Sequence, residues 1–219
     1  MASYEEINYA IRPNKRTQRK MIFEALRRYV SIFPERTFRY VGFGSMWFSD
    51  FFYAHRSLGV NDLISIERED GYKRALFNRP FKCIRVLAGD STRILPRLRW
   101  VQPNIVWLDY DFLPEQESLM DLGYLATNLV SGSVLMTTFD ARPPWKDGTK
   151  SKQRAAVLRR VFGSSVPANL SAAQLDPDNY HTTLAGILWT HLKDTLVKSG
   201  RLRQDGLPVS YTHLRAHET

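Results

Sequence analysis

The stretch Phe38-Arg39-Tyr40-Val41-Gly42-Phe43-Gly44-Ser45 joins a short apolar run to a glycine turn, and a helical pattern follows at 47–57. Glycines at such a turn let the backbone approach a ligand closely, because they carry no Cβ atom. A strand, a glycine turn and a helix in this order are typical of the first unit of a nucleotide-binding α/β fold. The dinucleotide pattern requires a third glycine where Met46 and Trp47 stand, which argues against NAD.

Three more polar motifs follow apolar runs further along the chain. Glu67 stands 23 residues beyond Gly44, and the motifs Gly89-Asp90-Ser91 and Asp109-Tyr110-Asp111 come after it in that order. Ligands of open parallel sheets bind beyond the carboxyl ends of the strands, so these motifs are expected to line one crevice. Their order indicates S-adenosylmethionine as the cofactor and methyl transfer as the reaction.

Each of the first three motifs has an expected role toward this cofactor. The backbone of the glycine turn would meet the methionine carboxylate, Glu67 would accept hydrogen bonds from the ribose hydroxyls, and the third motif would bond the adenine amino group. Each also has a structural interpretation, as a tight turn without a ligand, a surface carboxylate, or a helix cap. The residues assigned to the cofactor are Gly42, Phe43, Gly44, Ser45, Glu67, Gly89, Asp90 and Ser91.

The acidic motif at 109–111 is the predicted catalytic element. Its two carboxylates follow a continuous apolar run, which is typical of a central strand covered on both faces. Asp109 and Asp111 are therefore expected to orient or deprotonate the methyl acceptor. Hard cations such as Mg²⁺ prefer carboxylate oxygens, so Asp109 with Asp140 is a candidate metal pair. Asp140 also has a simpler interpretation as a turn-forming residue before Arg142-Pro143.

Apolar periodicity predicts a Rossmann-like α/β fold, a doubly wound and mostly parallel sheet with helices on both faces. The predicted strands are 38–41, 63–66, 82–87, 105–108 and 132–138. The predicted helices are 18–33, 47–57, 70–77, 91–98, 115–129, 152–162 and 183–198. This pattern divides the chain into a helical extension at 1–37, a methyltransferase-like domain at 38–207 and a tail at 208–219.

Composition and charge limit the class of protein and its surroundings. The single cysteine, Cys83, cannot form an internal disulfide, and no apolar run is long enough to span a bilayer, so we expect a soluble, cytoplasmic protein without a membrane partner. The net charge of +9 and the sequence pI of about 9.8 make nucleic acid a candidate partner. Basic residues cluster at 12–20 and 146–160, where solvated helix faces are the simpler interpretation.

The last eleven residues, Val209-Ser210-Tyr211-Thr212-His213-Leu214-Arg215-Ala216-His217-Glu218-Thr219, resemble the translation of a transposase-type sequencing adapter. The sequence therefore looks like a metagenomic library fragment whose natural C-terminus is missing, and further strands would be expected beyond it. His213 and His217 stand at helical i, i+4 spacing, and as part of such a tail they carry no functional weight.

From about Tyr40 to Asp140 the chain resembles the class I S-adenosylmethionine-dependent methyltransferases, particularly the O-methyltransferases related to catechol O-methyltransferase. Residues 64–67 are similar to that family's ribose-binding strand end, and residues 89–98 to its adenine-side segment. The resemblance implies that Asp109 and Asp140 are metal-binding aspartates. The chain departs from the family at Ala141, where the family has Asn, and no lysine follows Asp109-Tyr110 as general base.

The leading hypothesis is thus O-methyl transfer from S-adenosylmethionine to an unidentified acceptor, with Mg²⁺ as a candidate second cofactor. One alternative keeps the cofactor but places the methyl group on nucleic acid, with the basic clusters following the phosphates. Another is a non-catalytic Rossmann-like module that binds a nucleotide or a partner protein.

Overall fold

The computed structural model describes residues 13–44, 46–146 and 149–202. Its strands are β1 (Arg39–Gly42), β2 (Asp62–Glu67), β3 (Ile84–Ala88), β4 (Asn104–Asp109) and β5 (Val134–Thr138). Its helices are α1 (Pro13–Ser31), α2 (Ser49–Leu58), α3 (Glu69–Asn78), α4 (Ser91–Ile94), α5 (Gln116–Asn128), α6 (Ser151–Phe162) and α7 (Pro177–Lys198).

The strands form one sheet in the order β3-β2-β1-β4-β5, and β1 pairs in parallel with both β2 and β4. β2 pairs in parallel with β3. The strand order changes direction at β1, so the chain crosses from β3 over to β4, as it does in doubly wound folds. The structure therefore confirms the predicted Rossmann-like α/β class, and β4 is buried along Asn104–Leu108, as expected for a central parallel strand.

Most predicted elements lie within a few residues of the observed ones, and three differences have local causes. Helix α4 ends at Ile94 and continues as a 3-10 turn, since Pro96 cannot donate the hydrogen bond that an α-helix needs. Strand β3 starts late because Phe81 and Ile84 close a turn before it. Helix α7 starts early, at Pro177, whose fixed φ suits the first helical position.

Contacts between Cα atoms divide the chain into two compact units. The first comprises Met1–Leu108 with Leu129–Leu135, and the second comprises Asp109–Asn128 with Met136–Thr219. The division of the chain into 1–37, 38–207 and 208–219 stays a prediction. No helix within the described ranges is both long and apolar enough to cross a bilayer, and a cytoplasmic location stays a prediction.

In the first unit, α1 packs against α2 through an aromatic core. The ring of Phe23 on α1 stacks on Tyr53 with centroids 5.2 Å apart and lies 6.1 Å from the ring of Trp107 on β4. Phe23 is 2% exposed, and burying a side chain of this size contributes about 2 kcal/mol to stability. The apolar face of the basic helix α1 therefore attaches it to the sheet.

The second unit is built around α7, which packs against α5 and α6. Apolar residues recur on α5 at Leu119, Leu122 and Leu125, a spacing that places them on one face of the helix. The buried residues of α7 follow the same rule, and they are Tyr180, Leu184, Ile187 and Leu188. This helical core supports the loop that follows β5.

Candidate functional site

In the first unit, the glycine turn is tied directly to the end of β2. The backbone N–H of Gly44 donates to Oγ of Ser65 at 2.9 Å and to Oε1 of Glu67 at 2.8 Å. The Ser65 hydroxyl in turn donates to the same Glu67 oxygen at 2.7 Å. Ser65 is fully buried and Glu67 is half-buried, so the carboxylate is held at the rim of the sheet. Gly44, Ser65 and Glu67 are called the turn cluster below.

The turn cluster leaves no room for side chains at its glycines. A Cβ atom built on Gly44 would lie 2.6 Å from Oγ of Ser65 and would also collide with the ring of Phe48. A Cβ atom on Gly42 would lie 2.8 Å from the carbonyl oxygen of Trp107. Both positions therefore require glycine, so that the backbone itself forms the surface where β1 ends.

Phe48, immediately before α2, adopts a left-handed backbone conformation with φ 48° and ψ 30°. For a residue with a side chain this costs about 1–2 kcal/mol. The ring is fully buried and meets Phe51 at 5.4 Å, and the amide donates to the carbonyl of Gly44 at 2.8 Å. Such strain tends to occur where a functional site fixes the backbone.

The third strand end joins the same group of residues. The amide of Gly89 donates to the carbonyl oxygen of Glu67 at 2.8 Å, and Gly89 has φ 137°, which favours glycine. Asp90 occupies the N-cap position of α4, yet its side chain makes no capping hydrogen bond. The carboxylate of Asp90 is thus exposed at the strand end rather than used as a cap.

These contacts fit a ribose-bearing cofactor at the ends of β1, β2 and β3. A fixed carboxylate and glycines that let the backbone approach closely are what such a ligand requires. The structure therefore brings together Gly42, Gly44, Glu67 and Gly89, as the sequence predicted. The amide of Gly44, however, which was assigned to the methionine carboxylate, bonds Ser65 and Glu67. Ser45 lies outside the described residues.

In the second unit, the acidic motif follows a firmly anchored tyrosine. The Tyr110 hydroxyl donates to Oδ2 of Asp121 at 2.7 Å, and both residues are buried. The Tyr110 ring stacks on Phe139 with centroids 5.0 Å apart and planes at 8°. Because side chains alternate along a strand, Asp109 at the end of β4 points away from the side on which Tyr110 meets α5. Asp109 is half-buried and Asp111 is exposed.

Asp140 is paired with an arginine two residues on. Its Oδ1 accepts a hydrogen bond from the amide of Arg142 at 2.9 Å, and its Oδ2 accepts from Nε at 2.8 Å and Nη2 at 2.5 Å. These bonds raise the pKa of the Arg142 guanidinium above its usual range. The turn-forming interpretation of Asp140 describes its observed contacts.

The donor set does not fit the Mg²⁺ site that the sequence suggested. A carboxylate that receives three hydrogen bonds from one arginine, two of them from its guanidinium, would have to give up this ion pair to bind the metal. Within the described ranges, no group of three His, Cys, Asp or Glu side chains has an arrangement that could hold a metal ion. We therefore assign no metal role to Asp109 and Asp140.

Sequence analysis missed an aromatic cluster beside Asp140. The Trp145 ring meets Tyr180 at 4.9 Å and 78°, and the guanidinium carbon of Arg154 lies 5.7 Å from the Trp145 ring centroid. Burial, and then the charge of Asp140, raise the pKa of Tyr180. The residues come from a loop and two helices, and no motif in the sequence links them.

The basic clusters are partly used within the fold. Nε of Arg19 on α1 bonds Oδ1 of Asp50 on α2 at 2.5 Å, and both side chains are only about a tenth exposed. Arg154 donates to the carbonyls of Thr149 and Leu175. A nucleic-acid partner stays a prediction.

Comparison with known families agrees with this fold. The family model described as "Putative O-methyltransferase" matches residues 7–217, nearly the whole chain. The chain therefore belongs to this O-methyltransferase family, whose activity implies S-adenosylmethionine as methyl donor. The matched range includes most of the adapter-like tail, which lies outside the described residues, and the origin of that tail stays a prediction. Among curated proteins, no match was found.

Proposed function

We propose that the protein transfers the methyl group of S-adenosylmethionine to an oxygen atom of a small acceptor. The observation that carries the proposal is the turn cluster, in which the Glu67 carboxylate is fixed by Gly44 and Ser65 at the end of β2. A carboxylate at this place, next to a glycine turn, is suited to the hydroxyls of a ribose. The family match supports the reaction type.

Each part of the chain then has a distinct task. Glu67 accepts hydrogen bonds from the cofactor's ribose, while Gly89, Asp90 and Ser91 contact its adenine side. When bound, S-adenosylmethionine supplies a methyl carbon that is already electrophilic because it is attached to a sulfonium. The protein consequently needs to align the acceptor oxygen with that carbon, and to receive one proton.

Asp109 and Asp111 are our candidates for receiving the proton. S-adenosylmethionine held by Glu67 would supply the methyl group, and Asp109 or Asp111 would take the proton that the acceptor oxygen loses. Asp109 is half-buried at the end of β4, and Asp111 is exposed two residues later. Mg²⁺ has no part in this proposal, because the contacts of Asp140 are those of an ion pair with Arg142.

Calorimetric titration with S-adenosylmethionine, and separately with NAD, tests the proposal. We expect saturable binding of the first and none of the second, because Trp47 occupies the place of the third glycine of a dinucleotide turn. Circular dichroism on the same sample establishes that the protein is folded. Binding of NAD alone would contradict the proposed function, and so would a folded protein that binds neither compound.

A further inference from the structure

We propose that Arg142, Trp145 and Tyr180 form a subsite for an anionic oxygen group, a carboxylate or a phosphate, carried by the small methyl acceptor. The three residues come from the loop after β5 and the first turns of α7, and they are called the donor cluster below. The assignment of this ligand to the acceptor rests on the proposed function. The chemistry of the subsite rests on three donors and on the local charge.

Arg142 supplies a guanidinium that is fixed and still accessible. Its Nε and Nη2 are bonded to Asp140, which sets the plane of the group. The Arg142 side chain is nevertheless 62% exposed, whereas that of Asp140 is 13% exposed. A guanidinium has five N–H donors. The two bonds to Asp140 leave the other donors for a second anion on the solvent-exposed side.

Trp145 supplies a buried donor without an acceptor. Its Nε1 is buried and makes no hydrogen bond to any described residue. Buried polar atoms in folded proteins nearly always have a partner, and an exception calls for an explanation. An oxygen atom of a ligand would supply the missing acceptor.

Tyr180 supplies a second donor that stays protonated. Tyr180 is 1% exposed, and its ring meets that of Trp145 at 4.9 Å. Its burial and the charge of Asp140 raise the pKa of the phenol, so the hydroxyl remains neutral under ordinary conditions. Tyr180 therefore donates a hydrogen bond to the ligand and is unsuited to act as a base.

The local charge favours an anion over a neutral ligand. Arg142 neutralises Asp140, and Arg154, which lies over the Trp145 ring, is paired with Asp176. Over residues 140–154 and the start of α7, the basic residues outnumber the acidic ones by one: Arg142, Lys146, Lys150, Lys152 and Arg154 against Asp140, Asp147, Asp176 and Asp178. Neutral hydrogen-bond donors in a positively charged environment bind carboxylate or phosphate oxygens.

The test uses three phenols that carry an anionic or an uncharged group opposite the hydroxyl. The probes are 4-hydroxybenzoate, 4-hydroxyphenyl phosphate and the uncharged 4-hydroxybenzyl alcohol. Proton–nitrogen NMR spectra of the full chain report on each indole N–H, and Trp145→Phe assigns the resonance of Trp145. We expect at least one anionic probe to shift this resonance downfield and to bind about tenfold more tightly than the alcohol. The tighter of the two anions identifies carboxylate or phosphate as the natural group.

Conservative variants separate the donors from the shape of the cluster. Trp145→Phe and Tyr180→Phe keep a ring while removing one donor, and Arg142→Met removes the guanidinium. We expect each to reduce the affinity for the favoured anion and to leave that for the alcohol unchanged, with the largest loss for Arg142→Met. Trp47→Phe is the matched control in the first unit and should change neither. Equal binding of all three probes by the wild-type protein would overturn the proposal.

Two further measurements distinguish the possible failures. S-adenosylmethionine affinity, measured on the same samples, should be unchanged in all donor-cluster variants. Anion binding without any S-adenosylmethionine binding would contradict the proposed function and leave the anion subsite standing, whereas the reverse would overturn the subsite alone. Anion affinity should be equal with EDTA and with MgCl₂, and a requirement for Mg²⁺ would overturn the role of Arg142.

Discussion

The turn cluster of the first unit and the donor cluster of the second differ in how their polar groups are satisfied. In the turn cluster, the amide of Gly44, the hydroxyl of Ser65 and the carboxylate of Glu67 bond one another. In the donor cluster, the indole N–H of Trp145 has no described partner. We infer that the turn cluster is organised before a ligand arrives, whereas the donor cluster is completed by one.

The largest effect is expected from Gly44→Ala, which breaks the turn cluster alone. The added methyl group would lie 2.6 Å from Oγ of Ser65 and against the ring of Phe48, so the turn must move. We expect a loss of about 1–3 kcal/mol in the free energy of unfolding, together with a loss of S-adenosylmethionine binding. Urea unfolding and calorimetry measure the two effects.

Gly186→Ala on α7 is the control for that substitution, since nothing described lies within 4 Å of the added Cβ atom. It should keep the cofactor affinity of the wild type and raise the stability by about 0.5–1 kcal/mol, because alanine is a better helix former than glycine. Wild-type cofactor affinity in Gly44→Ala would show that the turn tolerates a side chain, contrary to our account.

A more limited effect, on stability and not on cofactor binding, is expected from Tyr110→Phe, which tests the anchor of the acidic motif. The variant keeps the ring stacked on Phe139 but removes the hydroxyl that donates to Asp121. A buried carboxylate would lose a hydrogen bond, which costs about 1–3 kcal/mol. Urea unfolding should show this loss, while S-adenosylmethionine affinity should stay at the wild-type value. A fall in cofactor affinity without a fall in stability would contradict the separate roles of the turn cluster and the acidic motif.

The smallest effect is a dependence of stability on pH through His191 on α7. Burial lowers the pKa of His191, and so does Lys198, whereas Asp194 and the hydrogen bond to the Leu119 backbone act in the opposite direction. The unfolded chain therefore binds a proton more readily than the folded one. The contribution of His191 to stability is complete above its unfolded pKa of about 6.5, and it is lost as the pH falls toward the folded value.

Each tenfold difference in proton affinity between the two states is worth about 1.4 kcal/mol. Urea unfolding between pH 7.5 and pH 5.5, two values chosen to span about one pH unit on either side of the unfolded pKa, should show falling stability in the wild type. His191→Gln should show a flatter profile, and His181→Gln, on the same helix, should follow the wild type. A profile that is equally steep in His191→Gln would assign the dependence to other groups.

The two clusters also differ in how far the sequence revealed them. The strand-end motifs at Gly44, Glu67 and Gly89 were readable because a parallel sheet places the carboxyl ends of its strands at one edge, so chain order predicts proximity. The contribution of Ser65 was missed, although it lies two residues before Glu67, because its apolar neighbours made it look like a core position.

Proximity between Trp145 and Tyr180 depends instead on how a loop packs against α7, and no periodicity encodes that. The metal role of Asp140 failed for a related reason. The sequence shows a carboxylate after a strand, but the partner of that carboxylate depends on the turn that Arg142 makes two residues later. The family resemblance pointed to Asp109 and Asp140 but gave no information about the contacts of Arg142.

The most direct test of the central claim is the S-adenosylmethionine affinity of Glu67→Gln compared with Glu69→Gln. The first substitution removes the charge within the turn cluster and leaves an oxygen that can still accept from Gly44, whereas the second removes an exposed charge two residues away. Our account predicts that calorimetry finds binding weakened about tenfold or more in Glu67→Gln and unchanged in Glu69→Gln. Equal affinities in both variants and the wild type would contradict it.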